Sequence, residues 1–401
     1  MWNVRAGKAQ RGAQRRGGEV MKDEFFVAFL FFAIVSLVVT QACFAKEDQL
    51  GHITFCSGDV QVKGAKETAW KKAEPSAPVY FGDHIRTGQD GKVTITFIDQ
   101  GLFKIYPNTH TALNAIVSPV EKKNSVLLFF GRIWNKGTRK VLQMKGFEVQ
   151  TPTAVLGVRG TEFGTASYED GTMIVLVDSG KVTVDNETNR STLCSNEAAQ
   201  LSFDTKEIKA EYDFKPEWER VERDARKNLF ADGKRYGGFV QGEIYKRRDH
   251  LKTLVDKAGE LSEQKERCLS VAKEAKRRGD EIGYESSMSK IKKVNKEIVD
   301  VNRKIAFYGR RLECHFGLFS HYGHLAKHPE FSKKFHGREF ILKELDNIEM
   351  IHAEFNAMIE EGMKMSMEDM EDLMEEMREK VREFKKEKGI EDPFDELNKD
   401  L

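Results

Sequence analysis

Thr151-Pro-Thr-Ala-Val-Leu-Gly-Val-Arg-Gly-Thr-Glu-Phe163 decides how this chain is read. The segment is apolar enough for a core strand, yet it carries Arg159, Gly160 and Glu162 where such a strand is usually cleanest. Pro152 fixes an extended entry and cannot donate a ladder hydrogen bond. From there Ala154, Leu156 and Val158 alternate onto one face. Gly157 leaves room for another backbone or a large ring. Gly160 permits a bulge or a positive φ, and a bulge moves the register by one residue. In a straight strand Arg159 and Glu162 point to opposite faces; after the shift they can meet. The sequence therefore predicts a kinked strand stapled by an Arg159–Glu162 ion pair, with Phe163 returning to the core. Thr151, Pro152, Gly157, Arg159, Gly160, Thr161, Glu162 and Phe163 are read as structural residues. No His or Cys nucleophile sits alongside, and one Arg with one Glu is no acid/base dyad, so no catalytic residue is assigned and no enzyme is expected.

Working outward, the period-two pattern persists from about residue 48 to 205. Lys92-Val-Thr-Ile-Thr-Phe97 sets Val93, Ile95 and Phe97 on one face, and Met173–Val177 and Val182–Val184 behave alike, with Gly, Asp and Asn between them. Gly58, Gly101, Gly131 and Gly180 each precede a β-branched or aromatic run at irregular spacing, which suggests short strands coiling back on one another rather than a strict repeat. The expectation is an all-β, roll-like or solenoid-like domain over 48–205.

Beyond Phe214 the apolar period becomes 3.6. Leu251, Leu254, Ala258, Leu261, Cys268 and Ala272 step by threes and fours or their sums, as do Ile291, Val294, Ile298, Val301, Ile305 and Leu312. An all-α region is expected over 206–401. It holds an αα-hairpin with a coiled-coil seam at about 250–314, turning near Gly283, and further helices at about 340–388. The chain's 401 residues suit two or three domains. Its 65 Lys+Arg against 64 Asp+Glu give no argument for nucleic acid as a partner. A charged fraction of 32% fits long solvated helices.

The central motif resembles the signature of FecR-type domains, T-P-x-A-V-x-G-V-R-G-T-x-F. Gly82-Asp-His-Ile-Arg-Thr-Gly88 is similar to the family's G-D-x-I-R-T-G opening. Phe97-Ile-Asp-Gln-Gly101 stands at its D-G-S turn, and Val177-Asp-Ser-Gly-Lys-Val-Thr-Val184 fits its terminal strand pair. The resemblance covers about residues 55–190. It implies an extracytoplasmic β domain, which in the founding type senses an outer-membrane siderophore receptor and controls a cytoplasmic sigma factor. This chain departs from that plan: a short basic stretch precedes its apolar segment, and a helical region follows the β domain.

Phe25–Val39 is an unbroken apolar run apart from Ser36, preceded by Arg11, Arg15, Arg16 and Lys22 and followed by Gln41-Ala-Cys-Phe-Ala45. It is inside the signal-peptide range and short of the roughly 20 residues of a spanning helix. Residues 1–45 are therefore read as an N-terminal extension and signal peptide cleaved after Ala45. Acylation at Cys43 and a retained membrane anchor are the alternatives. Met21 opens a conventional signal peptide by itself, so residues 1–20 are read as sequence upstream of the true start. The expected location is periplasmic or elsewhere in the cell envelope, with membrane contact only through an uncleaved N-terminal segment.

Three further features stand out in the sequence. His321, His324 and His328 share a face at i, i+3 and i+7 if 319–328 is helical, with Cys314 nearby; such a set suits a transition metal or haem. Packing or surface histidines are the competing reading, and no cofactor is assigned. Cys56 and Cys194, near the two ends of the β domain, can form a disulfide. Met350, Met358, Met363 and the following methionines read as a pliable core or docking face. The leading functional expectation is a non-enzymatic exported binding or assembly protein that meets an envelope protein, or itself, through its helices. A sigma-controlling transmembrane regulator of the FecR type is the first alternative, and a metal or haem carrier at His321–His328 the second.

Overall fold

The computed structural model of the protein describes residues 49–65, 67–98, 101–113, 124–137, 147–205 and 207–359. The apolar segment at 25–39, the cleavage region to Ala45 and the methionine-rich helix expected near 370–388 lie outside the described residues. Among the described residues no helix is long and apolar enough to cross a membrane.

The alternating runs become strands of one branched sheet. In chain order they are β1 (Gln49–Ser57), β2 (Val60–Lys63), β3 (Lys71–Lys72), β4 (Pro78–Tyr80), β5 (His84–Thr87), β6 (Lys92–Phe97), β7 (Leu102–Ile105) and β8 (His110–Leu113). There follow β9 (Asn124–Lys136), β10 (Phe147–Gln150), β11 (Val155–Ser167), β12 (Met173–Asp185), β13 (Arg190–Cys194), β14 (Glu197–Leu201) and β15 (Glu211–Tyr212). The main path runs β15-β14-β12-β11-β10-β9-β7-β6-β1-β4. The sheet thus continues past 205, because β15 pairs back on β14.

Two long strands change neighbours midway, and this makes the sheet barrel-like. The first half of β9 lies between β8 and β10, and its second half between β7 and β11. The handover falls at Gly131, whose φ of 102° is open to glycine and strained for other residues. β11 does the same: Val155–Val158 pair with β10, and Glu162–Ser167 pair with β9, while β12 flanks both halves. The break lies between Arg159 and Phe163, where the β11–β12 register shifts twice. The bulge expected at Gly160 is therefore the hinge at which the strand leaves one partner for another. Phe163 then returns to full burial, opposite Val177 in register.

Among the described residues four helices follow: α1 (Trp218–Ala231), α2 (Gly233–Arg278), α3 (Glu281–Lys327) and α4 (residues 338–359). At 46 and 47 residues, α2 and α3 each extend about 70 Å at 1.5 Å per residue. They form a hairpin sealed by Leu254, Leu261, Val294, Ile298 and Val301. Its turn is at Gly279–Asp280 rather than Gly283: Gly279 closes α2 at φ 69°, and the Asp280 side chain caps α3 by accepting from the Gly283 N–H. Gly283 lies within the first turn of α3. From Leu312 onward α3 is buried on most sides, because α1, α2 and α4 join it in one core around Leu229, Ile244, Phe319, Tyr322, Ile341 and Leu345.

Candidate functional site: the joint between the signature and helix α3

The end of β10 and the turn into β11 carry the first half of the signature. Thr151 organises that turn: its hydroxyl accepts from the Ala154 N–H at 3.0 Å and donates to the Ala154 carbonyl at 2.9 Å. With its polar groups satisfied internally, the turn presents two backbone carbonyls to α3. Arg311 donates from Nη1 to the Thr151 carbonyl at 2.6 Å, and the Cys314 thiol donates to the Gln150 carbonyl at 3.3 Å. Arg311 also donates from Nε to Glu187 at 3.1 Å, and Glu187 receives Arg247 of α2 at 2.7 Å. Arg247 reaches Glu243 at 2.7 Å as well. One carboxylate from the β12–β13 turn therefore ties both hairpin helices to the signature.

Burial raises the cost of a charge at Glu187, but the Arg311 and Arg247 guanidinium groups outweigh it and hold the carboxyl below its ordinary range. Arg311 and Arg247 keep only 3% and 5% of their side-chain surface exposed, so neither charge is relieved by solvent. Glu187 itself sits at φ 69°, a left-handed conformation uncommon outside glycine. Burial outweighs the nearby guanidinium charges and pushes the Cys314 thiol up to about 12, which makes it a hydrogen-bond donor and a poor nucleophile.

A second contact lies at the β11–β12 turn. Glu169 is buried and binds Arg226 of α1 at 2.6 Å and His321 of α3 at 3.4 Å, while its carbonyl accepts the Tyr322 hydroxyl. Burial works against its charge, but the bond from His321 and the Arg226 charge prevail and hold the carboxyl at about 2. The adjacent Asp170 takes Asn228 of α1 at 2.8 Å.

Between these polar anchors the contact is aromatic. Phe129 of β9 packs with Ala112, Leu127 and Cys314. It stacks on His84 and lies 4.6 Å, centroid to centroid, from His110. Phe130 stacks on His321 at 3.8 Å. The helix backbone approaches so closely at Gly317 that a Cβ there would collide with the Phe129 ring. His84 Nδ1 and His110 Nε2 meet at 3.3 Å, and burial drives both imidazoles toward the neutral form, His84 to about 4.

Several expectations need correcting. Glu162 forms an ion pair with Lys136 of β9 at 3.1 Å, its direct neighbour in register and a partner the sequence did not suggest. The Arg159 side chain lies outside the described residues. Gly157 has only Thr183 near a would-be Cβ, at 3.8 Å, so no close approach requires it. Cys56 and Cys194 are both free: Cys56 in β1 donates to the Ala73 carbonyl, and Cys194 ends β13, across β6, β7, β9, β11 and β12 along the sheet. Cys314, His321, His324 and His328 do not converge. The first faces a carbonyl, the second faces Glu169, and the last two rings stand 6.4 Å apart at the exposed end of α3. Among the described residues no three His, Cys, Asp or Glu side chains are placed to hold a metal.

The joint's main residues, Glu187, Arg247, Arg311, Glu169 and Arg226, escaped the sequence reading. Arg310 and Arg311 carried one usable signal, since paired charges open an apolar stretch of α3 that leaves little solvent face for them. Glu187 and Glu169 carried none, because acidic residues in turns are ordinary.

Residues 83–183 match the model of the FecR protein family, so this chain contains a FecR-type domain. The matched span holds the whole signature, the bulge and the Glu169 turn. Among solved structures it is similar to two of a proposed anti-sigma factor from Parabacteroides distasonis. The first shows 24% identity, 32% of this chain and 59% of that one covered, and a TM-score of 0.29. The second shows 23% identity, the same coverage and a TM-score of 0.28. A cell surface anchoring domain is similar at 28% identity over 16% of this chain and 82% of that one, with a TM-score of 0.15. The chain thus spans about three fifths of the anti-sigma structures it resembles. No curated protein matches it.

Proposed function

We propose that this chain is a signalling regulator of the FecR type, working through protein contacts rather than chemistry. The match of residues 83–183 to the FecR family carries this reading. The joint gives it a mechanism: a partner bound by the helices changes the position of α3, and Arg311 and Cys314 pass that change to the backbone of the signature turn. The founding FecR plan supplies the client, a sigma factor, and in this reading the Phe25–Val39 segment places the folded part in the cell envelope. Depleting the chain and measuring all transcripts tests the proposal. A regulator shifts a coherent set of genes sharing a promoter element, and an unchanged transcript profile opposes it.

A second reading, an exported assembly protein with the α2–α3 hairpin as a docking coiled coil, is favoured by the length of those helices and the narrow seam between their distal halves. It predicts envelope partners with no transcript change. N-terminal sequencing of the mature protein bears on both: a start at Lys46 removes the anchor that a transmembrane regulator needs.

A further inference from the structure

A cleft of about 590 Å³ lies between α1 and the turn that connects α3 to α4. Its aromatic lining is Phe230 and Phe331, which meet at 5.4 Å between centroids; buried Phe335 supports Phe230 from outside the cleft, 5.2 Å away. Its rim is cationic. Arg223 and Lys227 stand one helical turn apart on α1, and Lys334 faces them from the connecting turn. All three are exposed, and none forms an ion pair with a described residue. Of the other charges lining the cleft, Arg226 pairs with Glu169 at 2.6 Å, and the Glu222 carboxylate lies 3.9 Å from Arg226 while accepting from Asn108 at 2.8 Å. Three uncompensated cations around an aromatic floor form an environment that attracts an anion but also takes apolar surface out of water. The volume falls within the range of small-molecule sites, about 300–1,000 Å³.

We propose that this cleft binds a small amphipathic carboxylate, an aromatic or aliphatic body carrying one or two negative charges, independently of the regulator reading. The carboxylate lies between Arg223, Lys227 and Lys334, and the body rests on Phe230 and Phe331. Because Arg226 lines the same cleft and grips Glu169, an occupant would sit beside the second anchor of the joint.

The test is calorimetric titration of the full chain with 2-naphthoate and with decanoate, each against its neutral amide. Saturable one-to-one binding of at least one carboxylate is expected, with its amide weaker by about ten-fold or more. The paired substitution Arg223→Glu, Lys334→Glu should abolish that binding, while Lys292→Glu, Lys293→Glu on the distal hairpin, an equal change of charge, should leave it intact. An Arg223→Gln, Lys334→Gln pair keeps the test open if charge reversal disturbs the far-ultraviolet spectrum. Equal binding of acid and amide, unsaturable binding, equal loss in both charge-reversed pairs, or binding of acidic peptides alone overturns the proposal.

Discussion

Replacing Glu187 by Gln probes the joint at its narrowest point. The substitution keeps size and backbone but removes the charge that meets Arg247 at 2.7 Å and Arg311 at 3.1 Å. Arg247 retains Glu243, whereas Arg311 retains only the Thr151 carbonyl and becomes a buried charge without a carboxylate. Removing one partner of a buried pair costs about 3–5 kcal/mol. Glu187 is 29% exposed, and Gln can still accept a hydrogen bond, so about 2–3 kcal/mol is the reasonable scale. With an m-value of about 3 kcal/mol/M, the urea midpoint should fall by about 0.7–1 M. Glu187→Gly removes the same charge but relieves a left-handed conformation that costs about 1 kcal/mol, so it should lose less. Two probes should be followed, tryptophan fluorescence for Trp70, Trp134 and Trp218, and circular dichroism for the helices. In the variant the fluorescence and helical transitions should separate. A midpoint within about 0.2 M of wild type would show that Glu187 is an ordinary solvated turn residue and that the joint lies elsewhere.

Acid should weaken the aromatic part of the joint. The folded His84 imidazole titrates near 4 against an ordinary 6.5, so the folded state binds fewer protons, and stability present above pH 6.5 is lost as pH falls toward 4. His84 alone is worth about 3 kcal/mol across that window at 1.36 kcal/mol per unit. Lys63, Glu313 and His352 face His84, while His84, His321, Lys63 and Arg86 face His110. Glu169, held at about 2, stays charged throughout, so Arg226 keeps its partner. A urea midpoint that is flat or rising from pH 7.5 to 5 would contradict this. Iodoacetamide should alkylate exposed Cys194 in the native protein and spare Cys314 until urea unfolds it; equal labelling of both would place α3 away from β10. Gln150→Met should stabilise by about 1 kcal/mol, because the buried Gln150 amide has no hydrogen-bond partner among the described residues and Met keeps its volume; a lower thermal midpoint would count against that.

What the sequence revealed was periodicity and backbone punctuation. The switch from two to 3.6 near residue 205–214 separated sheet from helix, and Gly160 inside an apolar run foretold the bulge in β11. The FecR signature was legible because its residues are local: a turn-making Thr-Pro, an alternating strand and a hinge glycine. The Lys136–Glu162 ion pair was not legible for a related reason. Within one strand the nearest opposite charge to Glu162 is Arg159, whereas in the folded sheet Lys136 arrives from a strand some two dozen residues away, through a β9–β11 pairing that no local pattern encodes. The histidines misled likewise. A helical face predicts which side chains lie together along α3, but Phe130 and Glu169 come from the sheet and claim His321 first. The α1 helix was covered only by the broad all-α expectation, without bounds of its own, because its buried face is small: Ala225 and Leu229 beside eight charged or amide residues.

The central claim is that the FecR-type strands and the helical hairpin unfold as one body through Arg311, Glu187 and Cys314. Hydrogen exchange of the native chain, read at peptides from β10–β11 and from residues 310–326 of α3, measures it directly. The account predicts matching opening free energies for the two, close to the global value. Early exchange in α3 while β10–β11 stays protected, or the reverse, would contradict it.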